Sequence, residues 1–251
     1  MPRTVAVTNQ KGGVAKTTTV ASVGVALADL GQRVLLVDLD PQACLTFSLG
    51  IDPEDVHTSV QQVILGEVEP GAAVVACEEG PDLVPATIEL ATAESKLVGQ
   101  PRPELALRAA LEPVLRSYDW ILLDCPPTLG LLTVSALSAA TDVLIPLQCE
   151  TLSHRGVGQL LDTIHDVKQL TNRELNVLGV LPTLYDGRTK HAKAVLEAIP
   201  ATYDVAIFGT PIPKSIRFAE APAVGRSVLS TAGRTRGADA YREVAAALLA
   251  S

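Results

Sequence analysis

Two adjacent glycines, a lysine and a threonine lie between positions 9 and 18 in a spacing that suits the binding of phosphate groups. Gly12 and Gly13 would let the backbone approach phosphate oxygens without a Cβ in the way. Lys16 could reach the β- and γ-phosphates of a nucleotide, and the hydroxyl of Thr17 could ligate Mg²⁺. Backbone N–H groups at the start of a helix would add to the attraction of an anion. The segment therefore predicts a phosphate-binding loop if a strand precedes it and a helix follows.

Three aspartates lie at or near the ends of apolar, strand-like segments. Asp38 ends the segment that begins at Val34, and Asp40 follows two positions later. Asp124 ends a second such segment, which begins at Trp120. Ligands of open α/β sheets bind at the carboxyl ends of the strands, where a carboxylate can face Mg²⁺ through water. Each aspartate could instead solvate a strand end or cap a helix, but beside a phosphate-binding loop we expect a role in Mg²⁺ and phosphate chemistry.

Apolar, β-branched segments alternate with helical patterns along the chain. Strands are predicted at residues 5–8, 34–38, 120–124, 143–147 and 177–181. Helices are predicted at residues 17–30, 103–116, 131–140, 153–171, 189–199 and 236–249. Strands that are apolar on both faces and alternate with helices indicate a parallel sheet covered on each side. We therefore expect residues 1–251 to form a single α/β domain with a mostly parallel, twisted sheet flanked by helices. Residues 50–102 carry no clear pattern.

The composition excludes several classes of protein. Of the 251 residues, 47% are hydrophobic, which is too many for a disordered chain. No apolar run reaches the roughly 18 residues that a membrane span needs, and the N-terminus has no signal-peptide pattern. Widely spaced cysteines and histidines without a metal motif argue against disulfides and zinc sites and fit a reducing cytoplasm. These residues are Cys44, Cys77, Cys125 and Cys149, and His57, His154, His165 and His191.

The phosphate-binding segment departs from the common Walker A pattern, G-x-x-x-x-G-K-[ST]. Gln10 and Ala15 occupy the positions of its two glycines. The segment from Lys11 to Thr17 instead reads K-G-G-x-x-K-[ST], the deviant Walker A motif. A chance match is disfavoured because a strand is predicted before the segment and a helix after it.

With this motif the chain resembles the ParA/Soj family of chromosome- and plasmid-partition ATPases, within the wider group that includes MinD and the nitrogenase iron protein. The resemblance runs over nearly the whole chain and includes D-L-D-P-Q at residues 38–42, D-C-P-P at 124–127 and P-I-P-K-S-I-R-F-A-E-A-P at 211–222. It implies a P-loop NTPase fold of the deviant Walker A type. The family more usually has glycine at the position of Ala15. Alanine fits if its φ is negative, so we expect nucleotide binding to be tuned and not lost.

The resemblance implies ATP and Mg²⁺ as cofactors and a role for each residue of the motifs. Lys11 would cross the interface of a dimer to the partner's phosphates, where a cation stabilises the charge of the transition state. Asp40 would position the attacking water, and Asp38 would support Mg²⁺ and its waters. The implied catalytic residues are Lys11, Lys16 and Asp40, and the implied metal-site residues are Thr17, Asp38 and Asp124. The implied nucleotide-binding residues are Lys11, Gly12, Gly13, Val14, Ala15, Lys16, Thr17 and Thr18, with Pro211 and Pro213 beside the adenine.

The last quarter of the chain is basic, although the protein as a whole carries a net charge of −8. Residues 181–251 contain nine lysines and arginines but only six aspartates and glutamates. Arg188 and Arg217 match arginines that contact DNA in the resembled family. The same patch could be extended by Lys190, Lys193, Lys214 and Arg226. It would bind phosphates without reading bases, so its affinity would fall as salt rises. The alternative is a set of solvated charges with an ion pair to Glu220.

The resemblance implies a nucleotide-driven switch. ATP and Mg²⁺ would form a sandwich homodimer that binds double-stranded DNA non-specifically. A centromere-binding partner of the ParB/Spo0J type would stimulate its slow hydrolysis of ATP. The cycle would segregate chromosome or plasmid DNA, and the protein would be cytoplasmic and nucleoid-associated. Because the match begins almost at Met1, we expect no N-terminal helix-turn-helix domain.

Three other functions stay open at this point. A MinD-like or orphan positioning ATPase would act on a membrane or a protein scaffold, but the Ala-rich C-terminal segment lacks the basic amphipathic character of a membrane-binding helix. Metal-cluster chemistry would need cysteines shared across a dimer, and neither Cys125 nor Cys149 has the expected surroundings. A small-molecule ligase of the dethiobiotin synthetase type is disfavoured by the motifs at residues 38–42 and 211–222.

Overall fold

The computed structural model describes residues 2–149 and 153–251 and has a seven-stranded sheet at its centre. The strands are β1 (Arg3–Val7), β2 (Val34–Asp38), β3 (Val75–Ala76), β4 (Asp82–Val84), β5 (Trp120–Asp124), β6 (Asp142–Gln148) and β7 (Asn176–Thr183). Their order across the sheet is β3-β4-β2-β5-β1-β6-β7. All neighbouring strands pair in parallel except β3 and β4, which are antiparallel. The prediction of a mostly parallel sheet is confirmed.

Helices flank this sheet. They are α1 (Lys16–Asp29), α2 (Cys44–Ser48), α3 (Val60–Ile64), α4 (Leu90–Leu97), α5 (Ala106–Leu111), α6 (Leu131–Ala139), α7 (Ser153–Leu170), α8 (Lys190–Tyr203), α9 (Arg217–Glu220), α10 (Val228–Thr231) and α11 (Arg236–Ala250). Short 3-10 segments lie at Pro53–Asp55, Pro70–Ala73, Pro103–Leu105, Glu112–Ser117 and Pro222–Val224. Within the two described ranges, no helix combines the length and the apolar character that a membrane crossing requires.

The central strands are buried on both faces. Alternate residues of a strand point to opposite sides of the sheet, so Leu35 and Val37 of β2 belong to one hydrophobic cluster and Leu36 to the other. Helices α6 and α7 cover the first side, while α1 and α11 cover the second, where Tyr241 is fully buried. Each buried leucine contributes about 1.5–3 kcal/mol to the stability of the fold. This double cover explains why both faces of β2 are apolar.

The register of the sheet brings the predicted chemical residues to one edge. Val7 of β1 pairs with Asp124 of β5, and Asp38 of β2 pairs with Asp124 from the other side. The three strands therefore end at the same level, and the segment that follows β1 leaves the sheet between their ends. This is the edge at which ligands bind in open parallel sheets.

Two regions differ from the pattern-based prediction. The helix predicted at residues 103–116 is interrupted, because the α-helical part ends at Leu111 and a 3-10 segment containing Pro113 follows. Proline has no N–H to donate within an α-helix. Residues 50–102, for which no pattern was clear, contain α3, β3, β4 and α4.

Candidate active site

The segment from residue 8 to residue 15 joins β1 to α1, as its spacing predicted. Gly12 and Gly13 are exposed, and a Cβ at either position would meet only open space, so neither glycine is needed for packing. Gly13 has φ +73°, a left-handed conformation that glycine adopts without steric cost. The two glycines leave an open stretch of backbone that a phosphate group can approach.

Two buried polar side chains hold this loop in place. Asn9 Nδ2 donates to the carbonyl of Pro146 at 2.8 Å, and Asn9 Oδ1 accepts from the N–H of Lys11 at 3.0 Å. The hydroxyl of Thr183 donates to the carbonyl of Val14 at 2.8 Å. Sequence reasoning missed Asn9 and Thr183, because only the strand order reveals that the ends of β6 and β7 lie beside the loop.

Lys16 begins α1, and its side chain folds back toward the loop. Its Nζ donates to the carbonyl of Lys11 at 3.3 Å, and the residue is only 7% exposed. Burial lowers the pKa of Lys16, while the charge of Asp124 acts in the opposite sense. An ammonium has three donors, so this group can bind further acceptors. Lys11 itself is half-buried at the loop, and its predicted reach across a dimer stays a prediction.

Ala15, which departs from the family pattern, has φ +65° and ψ +33°. The expectation of a negative φ is therefore wrong. The chain has to turn before α1 begins, and the left-handed backbone that makes this turn costs a residue with a Cβ roughly 1–2 kcal/mol. Ala15 also lines the cleft beside the loop. Backbone strain is thus stored next to the predicted phosphate site.

A cleft of about 500 Å³ opens beside the loop. It is lined by Gly12, Gly13, Ala15, Lys16, Thr17, Thr18, Asp40, Gln42, Cys44, Phe47, Ser48, Pro127 and Pro222. Asp40 therefore shares a cleft with the lysine and the threonine of the motif, and its role in positioning water stays a prediction. Pro211 and Pro213, which were predicted beside the adenine, do not border this cleft, whereas Pro222 and the exposed Phe47 do. Val14 is fully buried.

Asp124 is fully buried, and within the described residues neither carboxylate oxygen has a donor in hydrogen-bonding geometry. Burial raises the pKa of Asp124 well above its ordinary value, and the charge of Asp38 adds to this, although Thr17 and Lys16 lie near enough to oppose it. An unsatisfied buried acceptor costs about 1–3 kcal/mol. A hard divalent cation such as Mg²⁺ prefers oxygen ligands of this kind. The unpartnered carboxylate and the Thr17 hydroxyl therefore suit the predicted Mg²⁺ site.

Asp38 is also fully buried, but both of its carboxylate oxygens have partners. Oδ1 accepts from the N–H of Asp40 at 3.1 Å. Oδ2 accepts from the N–H of Thr46 at 2.9 Å and from its hydroxyl at 2.8 Å. Burial raises the pKa of Asp38 to about 6, against the effect of these hydrogen bonds. Its predicted support of Mg²⁺ stays a prediction, and Thr46 is a site residue that the motifs did not indicate.

Four exposed basic residues form what we call the basic surface: Arg188, Lys190, Lys214 and Arg217. The loops that carry Arg188 and Lys214 lie side by side, because Tyr185 pairs with Pro213 and the N–H of Lys214 donates to the carbonyl of Tyr185 at 3.3 Å. Lys190 and Arg217 follow within a few residues along each segment.

Two members of the basic surface already have acidic partners. Arg188 forms an ion pair with Asp186, and Arg217 forms one with Glu220, each at 2.8 Å. The second pair is the one that the solvated-charge alternative anticipated. Exposed ion pairs contribute only about 0–1 kcal/mol, so both arginines can exchange these partners for others.

Comparison with known proteins places the chain in a family. The AAA domain family model matches residues 2–177. The sporulation initiation inhibitor protein Soj of Bacillus subtilis is 42% identical over 246 residues, which cover 98% of this chain and 97% of Soj. The chromosome-partitioning ATPase Soj of Thermus thermophilus is 43% identical over 248 residues, which cover 99% and 96%.

A solved structure of cobyrinic acid a,c-diamide synthase from Mycobacterium smegmatis, with bound ADP and magnesium, is 53% identical to this chain. It superimposes with a TM-score of 0.90 and covers 99% of this chain and 94% of its own. The similarity to the two Soj proteins extends over nearly their full length. It agrees with the deviant Walker A loop and with the aspartates at the strand ends. The chain belongs to the ParA/Soj family of chromosome-partitioning ATPases.

Proposed function

We propose that this ATPase, whose cofactors are ATP and Mg²⁺, works as a DNA-bound switch that partitions chromosome or plasmid DNA. ATP and Mg²⁺ form a homodimer, the dimer binds double-stranded DNA non-specifically at the nucleoid, and hydrolysis releases it. A partner of the ParB/Spo0J type stimulates the hydrolysis. The proposal is carried by one observation: a single cleft contains Lys16, Thr17 and Asp40. Its DNA-binding part is supported by the exposed residues of the basic surface, which lie on two segments that pair at Tyr185 and Pro213.

Five residues at or beside the cleft have a task in this cycle. The loop N–H groups and Lys16 hold the phosphates. Thr17 and Asp124 would hold Mg²⁺, which would supply neutralisation of the phosphate charge when bound. Asp40, whose Oδ1 accepts from the N–H of Gln42 at 3.0 Å, orients the attacking water. Lys11 reaches the partner's phosphates and stabilises the charge that develops there.

The basic surface supplies the contact with DNA. DNA phosphates replace Asp186 and Glu220 as partners of the two arginines, since the exposed ion pairs are weak. If all members of the basic surface contact phosphates, a dimer neutralises about eight of them. The logarithm of the binding constant then falls with the logarithm of the salt concentration with a slope of about −7, and about half of that for a monomer.

Charge reversal tests this surface. Arg217→Glu in each subunit of a dimer should weaken binding to random-sequence duplex about 10- to 100-fold, because one contact is lost and a repulsion is added on each side. ATP-dependent dimerisation, followed by light scattering, should not change. Arg33→Glu is the matched control: Arg33 also forms a 2.8 Å ion pair, its side chain is 59% exposed against 55% for Arg217, and it precedes β2 at the opposite edge of the sheet.

The two variants separate the outcomes. An equal loss of DNA affinity in both would mean that general charge and not the basic surface attracts DNA. No DNA binding by the wild-type protein in any nucleotide state, with ATP-dependent dimers still formed, would move the partner surface to a membrane or a protein scaffold.

The name of the Mycobacterium smegmatis structure raises a second candidate, ATP-dependent amide synthesis on cobyrinic acid. A synthesis that takes its nitrogen from glutamine needs a nucleophilic thiolate. Burial raises the pKa of Cys77, Cys125 and Cys149, and at the more exposed Cys44 partial burial and the charge of Asp40 raise it, so no cysteine has the lowered pKa of an activated thiol. Incubation with ATP, Mg²⁺, cobyrinic acid and either glutamine or ammonia decides between the functions. Release of ADP that depends on cobyrinic acid would favour the synthase, and unchanged release would exclude it.

A further inference from the structure

Thr46 is a fully buried residue of α2 whose N–H and hydroxyl together make three hydrogen bonds. Its N–H and its hydroxyl both donate to Asp38 Oδ2, at 2.9 Å and 2.8 Å. Its Oγ1 also accepts from the N–H of Ala86, in the loop after β4, at 3.0 Å. The hydroxyl therefore has a donor and an acceptor role, and it ties α2 to the ends of two neighbouring strands.

The same carboxylate reaches the cleft through its other oxygen. Asp38 Oδ1 accepts from the N–H of Asp40 at 3.1 Å. A continuous series of hydrogen bonds thus runs from Ala86 through Thr46 and Asp38 to the backbone of Asp40, whose side chain lines the cleft.

Asp40 depends on this series for its position. It lies between β2 and α2, outside any helix or strand, and among the described residues its carboxylate accepts a local hydrogen bond from the N–H of Gln42. Three residues after Asp40, Ala43 has a left-handed backbone with φ +52°. The carbonyl of Asp40 accepts from the N–H of Ala43 at 2.8 Å, which closes the turn. The hydrogen bond from the N–H of Asp40 to Asp38 ties this turn to the end of β2, so it helps to determine where the backbone of Asp40 lies.

We propose that Thr46 is a positioning residue for hydrolysis: through Asp38 it fixes the backbone of Asp40, so that the Asp40 carboxylate holds the attacking water in line with the γ-phosphate. The inference rests on the role of Asp40 in the proposed function. An error of about 1 Å in the placement of a reacting group can cost about 100-fold in rate, so loss of the Thr46 hydroxyl should act mainly on kcat.

Two substitutions test it in the full-length protein. Thr46→Val keeps the shape of the side chain and removes the hydroxyl, and Thr46→Ser restores the hydroxyl. The measurement is the first-order rate of single-turnover hydrolysis of bound ATP at saturating Mg²⁺, with ATP affinity measured separately. Misfolded protein lowers the amplitude of this reaction and leaves its rate constant unchanged. Thr19→Val is the matched control, because Thr19 is fully buried and its hydroxyl shares a 3.3 Å hydrogen bond with Tyr241, away from the cleft.

We expect Thr46→Val to lower the rate constant about 10- to 100-fold with ATP affinity changed less than about threefold. Thr46→Ser should recover most of the rate, and Thr19→Val should match the wild type. A wild-type rate constant in Thr46→Val, or an equal fall in Thr46→Ser, overturns the inference. Asp40→Ala distinguishes failure of the proposed role of Asp40 from failure of the proposed role of Thr46. Normal turnover in that variant refutes the proposed role of Asp40, whereas slow turnover there beside a normal rate in Thr46→Val refutes only the role of Thr46.

Discussion

Replacement of Asp124 by asparagine removes a buried titratable carboxyl group, while the size of the side chain is kept. Within the described residues neither of its oxygens has a donor in hydrogen-bonding geometry, although Thr17 and Lys16 lie beside it. Burial raises the pKa of Asp124 well above its ordinary value of 3.8. The folded protein therefore binds this proton more tightly than the unfolded chain does. The stability of the nucleotide-free protein should fall as the pH rises from about 4 through the raised pKa.

The size of the effect follows from proton linkage. In the window between the unfolded and the folded pKa, one such group changes the free energy of unfolding by about 1.4 kcal/mol per pH unit. For a chain of this size that equals about 3–6 °C in Tm. Asp124→Asn should remove this dependence, whereas the part due to Asp38, whose pKa is raised to about 6, should remain. Without nucleotide, Asp124→Asn should be more stable than the wild type at neutral pH. With Mg²⁺ and ATP the wild type should be the more stable protein, since a ligand at 100 times its Kd adds about 2.7 kcal/mol to the free energy of unfolding of the protein that binds it.

Urea unfolding from pH 5 to pH 7, with and without ATP and Mg²⁺, measures both effects. Without nucleotide, the free energy of unfolding of Asp124→Asn should depend less on pH than that of the wild type. With nucleotide, the variant should gain less than half of the wild-type stabilisation. A variant that is less stable than the wild type at every pH, or that gains the full ligand stabilisation, would refute two claims. These are that the buried Asp124 carboxylate destabilises the nucleotide-free fold and that it binds Mg²⁺.

Two further substitutions test other parts of the structure. Burial acts to raise the pKa of Asp142, but hydrogen bonds from Arg3, Asn176 and Thr141 outweigh it and keep the pKa below its ordinary value. The ionised Asp142 carboxylate therefore stabilises the fold above about pH 4, and this stabilisation is lost as the pH falls through the lowered pKa. In urea unfolding, Asp142→Asn should lower the free energy of unfolding by about 1–2 kcal/mol at pH 7 and by less at pH 3. A cost that is larger at pH 3 would contradict these contacts. Ala15→Gly should leave stability unchanged or raise it by up to about 1 kcal/mol, because it relieves the left-handed backbone but frees the unfolded chain; a clear loss would contradict the positive φ.

The central strands were predictable because a strand that is buried on both faces consists of consecutive apolar residues. The bounds predicted for β2 and β5 agree with the structure. The same reasoning predicted that Asp38 and Asp124 would lie together, since parallel strands end at one edge. The three-residue β4 was not predictable, because its place depends on pairing with β2 and not on any pattern of its own.

The candidate site was predictable in its chemistry but not in its supports. The motifs indicated the loop, its lysine and the aspartates that line or adjoin the cleft. They did not indicate Thr46, because α2 has only five residues and shows no helical period. The sequence motif also could not predict the sign of φ at Ala15, because the turn that leads into α1 determines it. Pro222, in the chain after α9, lines the cleft, and the placement of Pro211 and Pro213 beside the adenine stays a prediction.

The most direct test of the switch is the binding of wild-type protein to random-sequence duplex with ATP and Mg²⁺, with ADP and Mg²⁺, and without nucleotide, each across a salt series. We expect binding only with ATP and Mg²⁺, under the conditions in which dimers form, and a salt slope near −7 as an order-of-magnitude value. Binding of equal strength in all three nucleotide states, or binding that salt does not weaken, would contradict a DNA-bound switch controlled by ATP.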